Sequence, residues 1–227
     1  LDDIRRQIGS LAFSAQYLQR PVPIEGNLIR RSWIQWYDSP AILGAGQVVQ
    51  SWDVASTTGN QSNFSVCTTW RKHKKNRYLL HVWRGRLEFP KLKHKLIALA
   101  REYSPARILI ERAGPGLHLI QEFKANPVAG VPTPIGVKVE GDKLVRMEAQ
   151  SARFEEGQVY LPREAPWLSE FLHEILSFPN SRHDDQVDSV SQFLKWAATS
   201  EVMWAYDGLT CVKVFQAGRE ITSTDRS

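Results

Sequence analysis

Near Pro90 the hydrophobic pattern changes character, and that single change limits the folds open to this chain. Before it stand three runs of strand type, residues 47–55, 64–70 and 78–83, rich in the β-branched and aromatic residues that suit a pleated surface. A polar stretch around Gly59 joins the first two, and a basic run, 71–77, joins the second to the third, so they read as an antiparallel meander. After Pro90 the period lengthens. Leu92, Leu96, Ile97, Leu99, Ala100 and Tyr103 recur at helical spacing with lysines opposite, and Ser104-Pro105 ends that helix. Residues 107–111 are a short apolar run of the kind buried in parallel sheets, and Gly114-Pro115-Gly116 opens another helix that stops at Asn126-Pro127. There follow a weaker strand at 135–140, a helix at 142–156 closed by Gly157, a short strand at 158–161, and helices at about 167–177 and 184–198. Hairpin-linked strands followed by alternating helices and strands predict an α/β fold: a mixed sheet with helices on both faces.

Length and composition narrow the class further. A chain of 227 residues with 42% hydrophobic and 23% charged residues can bury a core, and no repeat or low-complexity tract interrupts it. Residues 1–46, with Pro21-Val22-Pro23 and Gly26, read as a linker or arm, 47–198 as the main domain, and 199–227 as a tail holding a candidate hairpin. No stretch approaches the roughly 18 apolar residues of a membrane span, and the charged N-terminus lacks the apolar run of a secretion signal. Cys67 and Cys211 lie far apart without zinc spacing, so a reducing cytoplasm is expected.

Charge is distributed unevenly. Lys and Arg number 29 against 24 Asp and Glu, a net +5. Between Arg71 and Arg101, however, eleven basic residues face one acid, a local +10, so the remainder carries −5. Arg71, Lys72, Lys74, Lys75 and Arg77 form the densest part, close to Trp70, Tyr78 and Trp83. Such a block suits a polyphosphate partner, because neutralising several phosphates releases condensed counterions. A solvated hairpin tip is the plainer reading of the 71–77 run.

Three elements supply acids. Asp53 sits in a mostly apolar strand, where a carboxylate is costly unless paired or bound to metal. Glu111 ends Ile108-Leu109-Ile110, and sites in open α/β sheets gather at carboxyl strand ends. In His183-Asp184-Asp185-Gln186-Val187-Asp188, the turn of about 100° per residue places the three aspartates in one arc of about 100°, opposite Val187, Val190, Leu194 and Ala197. Each acid alone has an ordinary explanation, as a strand-end carboxylate or a helix-start acid stabilised by the macrodipole. Together, beside a basic block, they match the clustered oxygens that hold two divalent ions about 4 Å apart for phosphodiester hydrolysis.

The order of these motifs resembles the C-terminal nuclease domain of the large terminase subunit of tailed bacteriophages, which has a ribonuclease H-like fold. The matching stretches are Trp52-Asp53-Val54-Ala55 with the following Gly59-Asn60-Gln61-Ser62-Asn63 turn, Ile110-Glu111-Arg112-Ala113-Gly114, Asp142-Lys143-Leu144-Val145-Arg146 and His183 to Ser189. Gly9 to Pro21 also resembles the segment that follows the motor domain in such proteins. The resemblance implies a DNA endonuclease of low sequence preference that cuts concatemeric double-stranded viral DNA in the host cell cytoplasm, using two Mg²⁺ or Mn²⁺ ions. Carried over by position, Asp53, Glu111 and Asp185 hold metal, with Asp184 as a further ligand or water-positioning group and Asp188 as an additional candidate. Lys143 would face the scissile phosphate, and Arg146 would join the DNA-binding set. Expected partners are an ATPase domain of the same full-length chain, the small terminase subunit and the portal protein. No GxxxxGK[ST] phosphate loop occurs, so no ATPase activity is expected of these residues. Two alternatives remain open on sequence: a Holliday-junction resolvase or transposase-type nuclease of the same fold, and a non-catalytic basic DNA-binding module.

Overall fold

The computed structural model describes residues 28–39, 46–55, 64–202, 214–216 and 219–221. The meander forms as the sequence predicts: β2 (Gln47–Asp53), β3 (Ser65–His73) and β4 (Asn76–Gly85) are successive antiparallel neighbours. β5 (Arg107–Glu111) and β6 (Ile135–Val137) then add in parallel beside β2, after helices α1 (Phe89–Tyr103) and α2 (Gly114–Ala125). On the other side β7 (Val159–Pro162) pairs in parallel with β4, after α3 (Lys143–Glu155). Helices α4 (Leu168–Ser177) and α5 (Asp185–Val202) follow.

One expectation is corrected at the N-terminal side. Residues 28–38 belong to the folded body: β1 (Gln35–Tyr37) pairs in parallel with β7 as the outermost strand of a seven-stranded sheet, β1-β7-β4-β3-β2-β5-β6. Leu28, Ile29, Ile34 and Tyr37 are buried, and the Tyr37 hydroxyl donates to the Leu79 carbonyl at 2.7 Å. Three residues are too few for an alternating pattern to stand out, and the prolines upstream mask the apolar content. Gly9 to Pro21, the Gly59 turn and Cys211 lie outside the described residues. In the tail, β8 (Val214–Gln216) and β9 (Arg219–Ile221) pair antiparallel as the expected hairpin.

Strand alternation sorts the sheet's side chains into two cores. Trp52, Cys67, Ile108 and Ile110 face α1 and α2, burying Leu92, Leu96, Leu119, Ile120 and Phe123. Val49, Val66, Trp70 and Leu109 face the other way, against Met147 and Phe154 of α3, Phe171 and Ile175 of α4, and Val187, Val190, Phe193 and Leu194 of α5. The apolar anchor expected of α5 is therefore in place. Its remaining inward face is polar and is stitched to β2 and β3. Ser51 Oγ donates to the Ser189 carbonyl and Ser189 Oγ donates to the Ser51 carbonyl, both at 2.8 Å. Ser189 Oγ also lies 2.7 Å from Thr68 Oγ1, and Gln192 Nε2 donates to Ser51 Oγ at 2.9 Å. Small hydroxyl residues at the crossing let the helix approach the strand backbone closely, and these buried hydroxyls satisfy one another and the backbone.

Candidate active site

Period-two alternation carries the acids to a common place. Ser51 pairs with Leu109 across the parallel β2/β5 ladder, and both point toward α5. Two residues further on, Asp53 and Glu111 therefore stand side by side on the same face, on strands roughly 5 Å apart. The antiparallel registers extend this row across the sheet, since Asp53 pairs with Val66 and Val66 with Arg84. Arg84, Val66, Asp53 and Glu111 thus line the carboxyl end of β2 and β5 beneath the N-terminus of α5.

Glu111 is set by a close approach. A Cβ on Gly116 would come within 2.4 Å of the Glu111 carbonyl oxygen, so only glycine lets the first turn of α2 pack against this strand end. Opposite, Asp142 caps α3 by accepting from the Leu144 amide at 2.8 Å, which fixes the turn bearing Lys143 and Arg146.

The resulting cleft has a volume of about 230 Å³. Asp53, Glu111, Asp188 and Arg146 line it together with Val137, Val145, Gln192 and Lys195. Among the described residues, Asp53 and Glu111 make no ion pair and no side-chain hydrogen bond. Burial pushes the Asp53 carboxyl pKa well up, and repulsion from Asp188, Glu111 and Asp185 adds to it, against a smaller opposing pull from Lys143. Glu111 is raised by burial and then by Asp188, with Arg146 and Lys143 opposing. These acids therefore act on one another as a single electrostatic site.

The helix aspartates already have cationic partners. Lys143 Nζ lies 2.7 Å from Asp184 Oδ1 and 2.6 Å from Asp188 Oδ2, and Arg146 Nη2 lies 2.5 Å from Asp188 Oδ1. Burial alone would lower the Lys143 pKa; the two aspartates outweigh it and raise it. Asp185 points instead toward Arg84 Nη2 at 3.5 Å, and its pKa is raised by burial, with Arg84 opposing. Hence Asp188, the additional candidate on sequence, shares the cleft with Asp53 and Glu111, whereas Asp184 and Asp185 do not line it. Among the described residues no three acidic, imidazole or thiol groups already form an ion cage. The donor chemistry nevertheless suits a hard divalent cation, being all carboxylate oxygen with unsatisfied charge at Asp53.

The basic run lies elsewhere. His73 pairs with Asn76 across a two-residue turn, Lys74-Lys75, so residues 71–77 are mostly strand ends and not a loop. Val66 opposite Asp53 and His73 at the turn are seven residues apart on one strand, roughly 23 Å at 3.3 Å per residue. Lys74 and Lys75 are exposed. Arg77 corrects the sequence reading: its side chain is fully buried and Nη1 donates to the Lys74 carbonyl at 3.2 Å, so it braces the turn and cannot contact phosphate. Lys72 lies over the Trp196 ring at 5.9 Å.

Sequence reasoning also misses residues behind the acids. In the sequence Arg84 is one basic residue among eleven; in the fold it joins Glu170, Glu174 and Asp185 and lies over the Phe64 ring at 3.8 Å. Glu174 is buried, and a signal for it exists: Phe171, Glu174, Ile175 and Phe178 recur at helical spacing, so a carboxylate occupies the apolar stripe.

A sheet containing the run β4-β3-β2-β5-β6, with acids at the ends of β2 and β5 and on a crossing helix, defines a ribonuclease H-like domain. The family model described as the terminase RNaseH-like domain matches residues 50–195, and the chain belongs to that family. Structurally it is similar to the large terminase of a thermophilic bacteriophage solved in complex with ADP, with a TM-score of 0.63 and 12% identity. That match covers 86% of this chain and 50% of the other protein, so the chain spans about half that relative's length. It is also similar to the large terminase nuclease of the thermophilic phage G20c, solved with bound cobalt (TM-score 0.57, 17% identity) and with bound magnesium (0.56, 16%). Each of these two matches covers 76% of this chain and 98% of the G20c nuclease. No curated protein matches the sequence.

Proposed function

We propose that this chain is a divalent-metal-dependent DNA endonuclease of the terminase type, which cuts concatemeric double-stranded viral DNA with little sequence preference during packaging in the host cytoplasm. The observation that carries this reading is the pair Asp53 and Glu111: adjacent strand-end carboxylates with no ion pair or side-chain hydrogen bond among the described residues, both raised in pKa by burial and by Asp188. Carboxylates held together at such a cost are expected where a cation offsets it. The cobalt and magnesium in the G20c nuclease support a divalent ion.

Asp53, Glu111 and Asp188 would hold two Mg²⁺ or Mn²⁺ ions, with Asp185 and Asp184 as the outer members of the set. Divalent ions bound there would polarise the scissile phosphate and acidify the attacking water. The chain's own residues do the rest. Lys143 keeps its proton, and Lys143 and Arg146 at the start of α3 present fixed positive charge to the phosphate's nonbridging oxygens. The polar seam of Ser51, Ser189 and Gln192 holds α5 against β2 so that Asp188 and Asp53 keep their spacing. Lys74 and Lys75, with Arg71 and Lys72, bind the duplex backbone away from the point of cutting.

In a longer parent protein the domain would work with an ATPase motor on the same chain, the small terminase subunit and the portal. Mn²⁺-dependent nicking of supercoiled plasmid tests the reading. Wild-type chain should nick, and Asp53→Asn should not, with its fold intact by circular dichroism. Wild-type cutting by Asp53→Asn, or no cutting by the wild type with any divalent metal, would overturn it; selective cutting of four-way junctions would favour a resolvase.

A further inference from the structure

Glu174 is a buried carboxylate in the apolar stripe of α4, outside the cleft that Asp53, Glu111 and Asp188 line. Both of its oxygens are committed to one neighbour. Gln186 donates its backbone amide to Oε1 and its side-chain Nε2 to Oε2, each at 2.6 Å. Gln186 is itself buried and lies directly between Asp185 and Val187 in the first turn of α5. A helix start leaves its first amides without intrahelical partners, and here a charged acceptor from another helix takes one of them.

The same carboxylate lies 3.9 Å from Arg84, whose guanidinium is shared between Glu174, the exposed Glu170 and Asp185. Arg84 is held in turn over the Phe64 ring. Removing Glu174 would leave the Gln186 amide unpaired in the interior and let Arg84 redistribute toward Asp185.

We propose that Glu174 is a positioning residue for the acidic first turn of α5, clamping Gln186 and sharing Arg84 so that Asp188 keeps its place in the cleft and Asp185 its place beside Arg84 as an outer member of the cation-binding set. This rests on the divalent-ion reading of the cleft. Glu174 touches neither Asp53, Glu111 nor Asp188, and acts through Gln186 and Arg84.

The test titrates Mn²⁺ alone into the full chain by isothermal calorimetry, and follows amide hydrogen exchange at Gln186 in EDTA. Glu174→Ala should weaken Mn²⁺ binding at least tenfold and speed Gln186 exchange at least tenfold. Glu174→Asp keeps the charge but cannot reach Gln186 with both oxygens, and should behave likewise, which guards against an alanine variant that fails to fold. Glu174→Gln can accept from the Gln186 amide while the Gln186 side chain turns over to pair with it, but it gives up the charge shared with Arg84; it should keep Gln186 exchange within threefold of wild type and weaken Mn²⁺ binding less than Glu174→Ala does, and Gln186 exchange as fast as in Glu174→Ala would count against the clamp. Folded Glu174→Ala and Glu174→Asp variants that bind Mn²⁺ as the wild type does would overturn the proposal and leave the divalent-ion reading standing. A wild-type chain that binds no Mn²⁺ would overturn both.

Discussion

The two ends of the β2–β3–β4 meander differ in how they treat charge. At the carboxyl end of β2, Asp53, Glu111 and Asp188 sit recessed in a cleft and repel one another, and only Asp188 of the three is met by Lys143 and Arg146. At the hairpin end, Lys74 and Lys75 project into water, where a like-charge cluster costs little because solvent and salt screen it. Clusters of like charge therefore have unequal energetic meaning according to where the fold puts them. A recessed cluster stores unfavourable energy that a ligand can relieve, whereas an exposed one steers and tethers a polyanion without straining the fold.

That contrast is sharpest in catalysis. Asp53→Asn, Glu111→Gln or Asp188→Asn should each lower plasmid nicking by about 10³-fold or more, the scale expected when a metal-dependent site loses a ligand. Replacing Lys74 and Lys75 together with Ala should leave the cleavage rate at saturating DNA within about threefold. Loss of cutting at saturation in the lysine variant would erase the distinction between the two ends.

Binding should show the reverse. The Lys74→Ala, Lys75→Ala double variant should bind duplex about tenfold more weakly at low salt, equally across sequences. Its log-affinity against log-salt slope should become shallower by about 1.8, because two fewer phosphates are neutralised and their counterions stay condensed. Fluorescence anisotropy over a salt series measures both, and Asp53→Asn should bind DNA at least as tightly as the wild type.

Stability gives a smaller signal. Burial and mutual repulsion raise the folded-state pKa of Asp53, Glu111 and Asp185 above their unfolded values. At these three sites the native state therefore binds more protons than the unfolded chain between neutral pH and the ordinary carboxyl range near 4, and their contribution to metal-free stability rises as pH falls through that window. In EDTA at neutral pH, Asp53→Asn should raise Tm by about 2–4 °C, equivalent to about 1 kcal/mol, and flatten this pH dependence. A lower Tm would mean that the charge at Asp53 is already satisfied in the metal-free protein.

The smallest effect belongs to the hairpin backbone. Lys74 has φ of +52°, a conformation that costs an L-residue about 1 kcal/mol relative to glycine. Part of that gain is offset by glycine's greater freedom in the unfolded chain, so Lys74→Gly should stabilise by about 0.5 kcal/mol in thermal melts.

Much of this architecture is legible in the amino-acid order. Leu92, Leu96 and Leu99 at helical spacing mark α1, and Ile108-Leu109-Ile110 marks the parallel strand beside β2, because burial on one face or on both leaves a periodic trace. β1 leaves none, being three residues whose partner, β7, lies more than a hundred positions away. Among candidate site residues, the arc of aspartates on α5 follows from helical geometry alone. Which of them reaches the cleft does not: Asp188 turns toward Asp53, and Asp185 toward Arg84.

By itself, then, the sequence determines the order and type of the elements from β2 to α5, the family they compose, and the carboxylates available to it, since periodicity, turn chemistry and motif order are local properties. Tertiary structure alone decides that Asp53 and Glu111 become neighbours, that Arg77 is a buried brace, that the lysine turn stands roughly 23 Å along β3 from the acids, and that Glu174 grips the start of α5. Those outcomes depend on strand register and on how α4 and α5 lie against each other, and register is set by the packing of whole faces, which no window of neighbouring residues contains.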